Sequence, residues 1–290
     1  VQILVQKANK INRRIFYFDL IWTALTPNRG VQHARNTGVK YANSEWVTFC
    51  DSDDILLPNF TRTYEDFITK NPQFDLVYTN FKFFGSNRSE KSVLENAKFG
   101  FFEGAKQTNG FYIDIPKLFV KILHYQPLWL TGLSIRRDAF HEVGGFDPRF
   151  RYIKAEDFEF TLRAISRLRT AICMSSLALI RRHPGNDSSD SLEQTLGEII
   201  VLEHVLNTVP YAKMFEYQIL KSIRERRKNA FIGAYEQGNL DLCCSLIKKL
   251  GPEKLRFKIA LKFIVANLPK ALRKRVWRFT RSIAEKIYIG

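Results

Sequence analysis

Apolar residues in this chain fall into short blocks separated by polar stretches, and the spacing of those blocks changes near residue 191. Before that point, runs of strand length alternate with stretches of helical period. Val1–Val5 reads as a short strand, Arg14–Leu25 contains another apolar run in Ile15–Phe18, and Pro27-Asn28-Arg29-Gly30 reads as a turn. Val31–Asn43 predicts a helix with Val31, Ala34, Val39 and Ala42 on its inner face. Trp46–Cys50 predicts a buried strand, Pro58–Lys70 a helix opened by its proline, and Asp75–Phe84 a further strand. Gly85–Thr108 is polar and irregular and predicts a mobile excursion. A helix over Ile115–His124, a strand over Leu130–Ile135 and a short helix over Ala139–Val143, broken by Gly144-Gly145, come next. A helix over Glu156–Ser166, a strand over Thr170–Ile180 and a turn-rich segment over His183–Ser191 complete this part. From Leu192 the pattern is helical only: Leu192–Asn207, Ala212–Gln237, Leu240–Lys249 and a basic stretch to the end. The expectation is an α/β domain over residues 1–191, with a mixed, mainly parallel sheet and helices on both faces. An all-helical basic extension follows over 192–290.

Composition narrows the class. With 45% hydrophobic residues, including 24 Phe and 11 Tyr, the 290-residue chain can bury a full core. Cys50, Cys173, Cys243 and Cys244 lack zinc-ligand spacing and read as buried or inert thiols of a reducing compartment. No apolar run reaches the roughly 18 residues of a spanning helix, and the N-terminus has no signal-peptide pattern. The expected location is cytoplasmic, peripheral to the inner face of a membrane. The net charge of +16 is uneven: from Gly251 onward eleven Lys or Arg face only Glu253 and Glu285. Leu272, Val276, Phe279 and Ile283 share one helical stripe there, beside Trp277. An interfacial helix on an anionic membrane and a helix packed on the domain both fit this pattern. Nucleic acid is a weaker reading, since no recognition motif accompanies the charge.

The chemistry concentrates where Trp46–Cys50 ends in Asp51-Ser52-Asp53-Asp54. Three carboxylates this close repel one another unless a cation sits among them. Hard oxygen ligands suit Mg²⁺ or Mn²⁺ arriving with substrate phosphates. An acidic turn capping the next helix is the plainer alternative, and Asp54 suits that role. Glu156-Asp157 opens a helix, where acids complement the helix dipole but also stand ready as a general base. His183, with Arg181 and Arg182 beside it, follows the last strand and suits a metal or a diphosphate.

Four segments together resemble the family 2 glycosyltransferases of the GT-A fold. They are Asn28-Arg29-Gly30 with Ala34-Arg35-Asn36-Thr37-Gly38, then Phe49-Cys50-Asp51-Ser52-Asp53-Asp54, then Gly144-Gly145-Phe146-Asp147 with Glu156-Asp157, and last Arg181-Arg182-His183 with Gly185-Asn186 and Ser188. The resemblance covers roughly residues 26–190. It implies transfer of a sugar from a nucleotide-diphosphate donor, a UDP-sugar first, to a glycan or lipid-linked acceptor, with inversion, as in polysaccharide biosynthesis. It implies Asp53 as a direct metal ligand and Asp51 as a ligand or ribose contact. His183 joins the metal shell or, like Arg182, meets the diphosphate. Arg35 and Asn36 lie on the donor side, where Arg35 either pairs with phosphates or braces the acidic loop. Asp157 is the implied base and Glu156 its support. The family's opening V-x-I-I-P-x-Y-N strand and D-D-G-S strand end are not found before Asn28. A chain beginning after them and a degenerate nucleotide pocket both fit, and the latter allows a non-catalytic binding or scaffold module. A haloacid-dehalogenase-like phosphohydrolase also carries DxD, but follows it with Gly-Thr or Gly-Val where this chain has Asp54-Ile55.

Overall fold

The computed structural model describes residues 29–86, 88–97, 100–183, 191–250 and 257–288. The strand read in Val1–Val5, the apolar run Ile15–Phe18, the turn at Pro27-Asn28, and the Gly185-Asn186 and Ser188 positions lie outside them. The chain runs α1 (Val31–Tyr41), β1 (Trp46–Thr48), β2 (Ile55–Leu56), α2 (Phe60–Lys70) and β3 (Leu76–Gly85). It continues through β4 (Lys106–Thr108), β5 (Phe111–Ile113), α3 (Leu118–His124), β6 (Ser134–Arg136) and α4 (Arg137–Glu142). α5 (Glu156–Ile165) and β7 (Thr170–Arg182) close the sheet region.

The strands form one 7-stranded sheet in the order β1-β6-β3-β7-β5-β4, with β2 also on β7. The sheet is mixed, as expected, but the expected predominance of parallel pairing is not what the described residues show. Only β3 and β7 pair parallel, and the other pairings are antiparallel. β6 is antiparallel to both β1 and β3 and lies between them, β2 and β5 are antiparallel to β7, and β4 is antiparallel to β5. β1, β3 and β7 still point the same way, which is the direction that strand–helix alternation imposes.

Helices cover both faces. α2 buries Phe60, Tyr64 and Phe67 with Phe74, Val77, Phe111 and Ala171 on one face. The other face carries the larger core, built on Val47, Phe49, Leu76, Ile135 and Ile172 with α1, α4 and α5. Described residues of the stretch read as a mobile excursion are hydrogen-bonded to the sheet. Asn80, 3% exposed, sits where the β3–β7 register shifts, and donates to Ser92 Oγ and the Met174 carbonyl. Its Oδ1 accepts from the Leu94 amide. Within the same stretch, β4 pairs with β5 across Asn109-Gly110, both at positive φ (49° and 80°).

Beyond the sheet lie α6 (Ser191–Thr208), α7 (Glu216–Glu236), α8 (Leu240–Lys248), α9 (Phe257–Asn267) and α10 (Lys270–Tyr288). The predicted all-helical region is found. α6 buries Leu192, Ile199, Val201, Leu202 and Val205. At roughly 1.5–3 kcal/mol for each fully buried aliphatic side chain, that packing outweighs intrinsic helix propensity. Gly197 lets α6 come so close to the loop before α5 that a Cβ there would lie 1.8 Å from the Lys154 carbonyl oxygen. One apolar cluster runs from Val39 through the sheet to Phe231, Cys243 and Val265, on both sides of residue 191.

Candidate active site

A helix that feeds a strand runs opposite to it, so the helix N-terminus lies at the strand's C-terminal end. α1 feeds β1 and α5 feeds β7, and β1 and β7 run in the same direction. The start of α1, the acids after β1, the start of α5 and the residues after β7 therefore gather at one rim of the sheet, where open α/β sheets place ligands. The positive ends of both helices point there.

The acidic loop is built on the edge of β6. Phe49 donates to the Leu133 carbonyl (2.9 Å) and Gly132 to the Phe49 carbonyl (2.8 Å), extending the ladder past β1. Thr131, 2% exposed, accepts from the Asp51 amide at 3.2 Å and donates to Asp54 Oδ2 at 2.5 Å. The other Asp54 oxygen accepts from the Arg181 amide at 2.8 Å. Asp54 is thus a tie between β1, β6 and β7, not the helix cap read from the sequence. The chain passes through β2 before α2 begins at Phe60. Burial, opposed by these two hydrogen bonds, raises the Asp54 carboxyl above its usual range. Cys50 is pushed up to about 12 by burial and by Asp54, Asp51 and Asp53, so it is a neutral thiol amid the acids.

Arg35 is the hinge pin of the rim. It is buried in α1, with only 8% of its side chain exposed. Nη2 reaches Asp51 Oδ1 at 3.1 Å and Nη1 reaches Glu156 Oε1 at 2.8 Å. Of the two roles left open for it, bracing the acidic loop is the one these contacts carry. The guanidinium lies over Phe146, 5.3 Å from the ring centroid. Phe146 in turn stacks on Phe160 (4.3 Å) and meets Phe49 edge-on (5.4 Å). Asn36 donates to the Phe146 carbonyl at 2.7 Å and accepts from its amide at 2.8 Å, so its amide group clamps the Gly-Gly-Phe turn. Gly145, at φ 63°, is required there: a Cβ would lie 2.8 Å from Asn36 Oδ1.

Ala155 presents the second acid pair from a left-handed conformation, φ 81°, that an L-residue rarely adopts. Burial and the neighbouring Glu156 charge push the Asp157 carboxyl up to about 7. Arg35 and the Phe158 amide, 2.8 Å from Oδ1, pull the other way, while Asp51 adds to the rise.

His183 Nε2 lies 3.5 Å from Asp53 Oδ2, and both side chains are about two-fifths exposed. An oxygen and an imidazole nitrogen this close on an open rim fit a divalent ion that completes its shell with substrate phosphates and water. Arg181 reaches the Asp53 carbonyl at 3.2 Å. Arg182 lies over Phe83 (4.4 Å) and Trp129 (4.8 Å). Trp129 also packs on Phe81 at 5.1 Å, which leaves its ring partly buried. The side chains of Asp51, Asp53 and His183 do not gather within 4.8 Å; among the described residues, the group of three whose ligand atoms lie within 4.8 Å of one another is Asp147, Glu159 and His204. Its carboxylates are already met by arginines, Asp147 by Arg149 at 2.6 Å and Glu159 by Arg163 at 2.8 Å. Burial opposes ionisation of Asp147, but Arg149 holds its carboxyl below the usual range. Thr131 is the organising residue that sequence reasoning missed. A lone Thr carries no motif, and its partners are 77 and 80 positions away.

Acids at one strand end, a second acid pair at a helix start and a basic bridge between them thus meet at one rim of a mixed α/β sheet. The family described as Glycosyltransferase like family 2 matches residues 10–189. The chain belongs to that family, in agreement with the motifs and with the mixed α/β sheet. It is 21% identical over 138 residues to an uncharacterized glycosyltransferase of Haemophilus influenzae, a match covering 48% of this chain and 42% of that protein. A crystal structure of S. aureus TarS aligns over 83% of this chain and 60% of its own, with a TM-score of 0.46 and 16% identity. The chain thus spans less than half of the first relative's length and three-fifths of the second's. No described helix is long and apolar enough to cross a membrane.

Proposed function

We propose that the chain moves a sugar from a nucleotide-diphosphate donor, a UDP-sugar first, to a hydroxyl of a glycan or lipid-linked acceptor, inverting the anomeric centre. Residues 1–191 form the transferase domain, and 192–290 the helical extension that supports it. The setting is the cytoplasm, at the inner face of a membrane, in polysaccharide assembly. The observation that carries this reading is Arg35, whose one guanidinium touches Asp51 on the donor side and Glu156 on the acceptor side.

Asp157 takes the proton from the attacking hydroxyl. A carboxylate raised to about 7 is matched to that task near neutral pH. Glu156, anchored by Arg35, orients the acceptor beside it. Asp53 and His183, with Asp51, would hold Mg²⁺ or Mn²⁺, which when bound would supply positive charge to the departing diphosphate. Arg182 and Asn36 border the donor, Arg182 lending charge and Asn36 holding the turn beneath. A single base with no positioned nucleophile suits one displacement with inversion.

The test is calorimetric titration of UDP into the wild type and Asp53→Ala, with and without Mn²⁺. The expected result is metal-dependent binding that the substitution abolishes. No binding under any condition would overturn the donor assignment and leave a binding or scaffold module.

A further inference from the structure

We propose that α9 and α10 form a docking platform for an anionic lipid surface. The proposal extends the membrane-side setting given above, but its test reads binding alone, so it can fail while sugar transfer stands.

The orientation of α10 is set by one face. Trp277 Nε1 donates to the Tyr235 carbonyl at 2.7 Å, and Thr280 Oγ1 meets the Tyr235 hydroxyl at 3.1 Å. Arg273 reaches Asp241 at 2.5 Å. Gly238 admits the indole, since a Cβ there would lie 2.9 Å from the Trp277 ring. Residues 273, 277 and 280 therefore face α7 and α8, a different face from the apolar stripe read in the sequence. That stripe is divided: Val276 is half-buried, while Leu272 and Phe279 are 50% and 67% exposed. α9 does the same, burying Val265 and Ala266 and leaving Leu261 and Ile264 49% and 58% exposed.

The positive charge of this face lies on α10, since Lys262 of α9 is already met by Glu236 at 3.3 Å. Lys270, Lys274, Arg275 and Arg278 are exposed, and none makes an ion pair with a described residue. Exposed Leu, Ile and Phe side chains interleaved with unpaired Lys and Arg suit the boundary between acyl chains and anionic head groups. A second copy of this positively charged face would repel the first. Nucleic acid would use the charge but leave the apolar side chains in water.

The full chain is sedimented with vesicles of phosphatidylglycerol and phosphatidylcholine, and with phosphatidylcholine alone, at about 0.1 M salt. Binding is expected to the anionic vesicles only. Two variants, Leu272→Asp with Phe279→Asp and Lys274→Gln with Arg275→Gln and Arg278→Gln, are each expected to lose at least about tenfold in binding. A circular dichroism melt accompanies both. Phe279→Trp, which retains an aromatic side chain, is expected to shift its emission to the blue with the anionic vesicles. Failure to sediment with them, or absence of that shift, overturns the proposal. So does wild-type binding by the double Asp variant with heparin as an effective competitor, which would assign the face to a soluble polyanion.

Discussion

At the scale of single residues, charge placement decides the chemistry. Asp157→Asn is expected to lower transfer by about 10²–10⁴-fold, read as initial rates at saturating donor. Its folded pKa is raised, so the folded state holds the proton more tightly than the unfolded chain. The stability this one group contributes is therefore greatest at low pH and falls as pH rises from the ordinary carboxylate range through about 7. Urea midpoints across that window are expected to slope less in Asp157→Asn. Activity runs the other way, rising as the base ionises, and a bound cation nearby moves that limb to lower pH. Arg35→Lys keeps the charge but cannot reach two carboxylates with one planar fork. It is expected to cost about 2 kcal/mol in a denaturant melt, since it frees Glu156 and Asp51 from a largely buried partner. Ala155→Gly is expected to stabilise by up to about 1 kcal/mol, because glycine adopts positive φ without the Cβ clash. A thermal melt checks it, and unchanged or lower stability would mean Ala155 is not strained.

At the scale of elements, most helices and strands of the sheet region were legible. Apolar period and proline or glycine breaks placed α1, α2, α5 and β3 to within about two residues of where they lie. What escaped was anything set by distant contact. β4 and β5 are only three residues each, too short for a periodic signal. Yet Asn109-Gly110 between them is the pair that a two-residue hairpin favours, and it was passed over. Pairing sense was misread because β6 slots between β1 and β3, and β2 and β5 pair antiparallel to β7, choices made by the sheet rather than by any one segment. In the site, the acid pairs were legible as motifs, whereas the bond from Arg35 to Glu156 joins residues 121 apart. The buried side of α1 holds Ala34, Val39 and Ala42 as expected, while Val31 is half-buried and the polar Gln32 and Arg35 also face inward. Gly197 belongs to this scale too. Gly197→Ala is expected to destabilise by ~2 kcal/mol, as α6 must withdraw from Lys154. Because Lys154 lies two residues before Glu156, the rate of transfer is expected to fall as well, and a combined melt and rate measurement checks both.

At the scale of the molecule, the apolar cluster does not stop where the sequence pattern changes. Phe158 and Phe160 of α5 share it with Val201, Leu202 and Val205 of α6 and with Phe231 of α7. A chain ending at residue 191 is expected to expose that surface and to lose cooperative unfolding, as judged by near-ultraviolet circular dichroism. A sharp melt from such a fragment would show that the sheet region folds alone. The continuous core also bears on descent. Loops at the rim can be rewritten one at a time, so a lineage can change what it glycosylates. A crossover near residue 191, by contrast, would bring an unrelated tail against α5, and the recombinant would inherit half of an interior with no matching half. Shuffling of the tail as a cassette is thus disfavoured, and the helices of this extension are expected to have diversified in step with the sheet they cover.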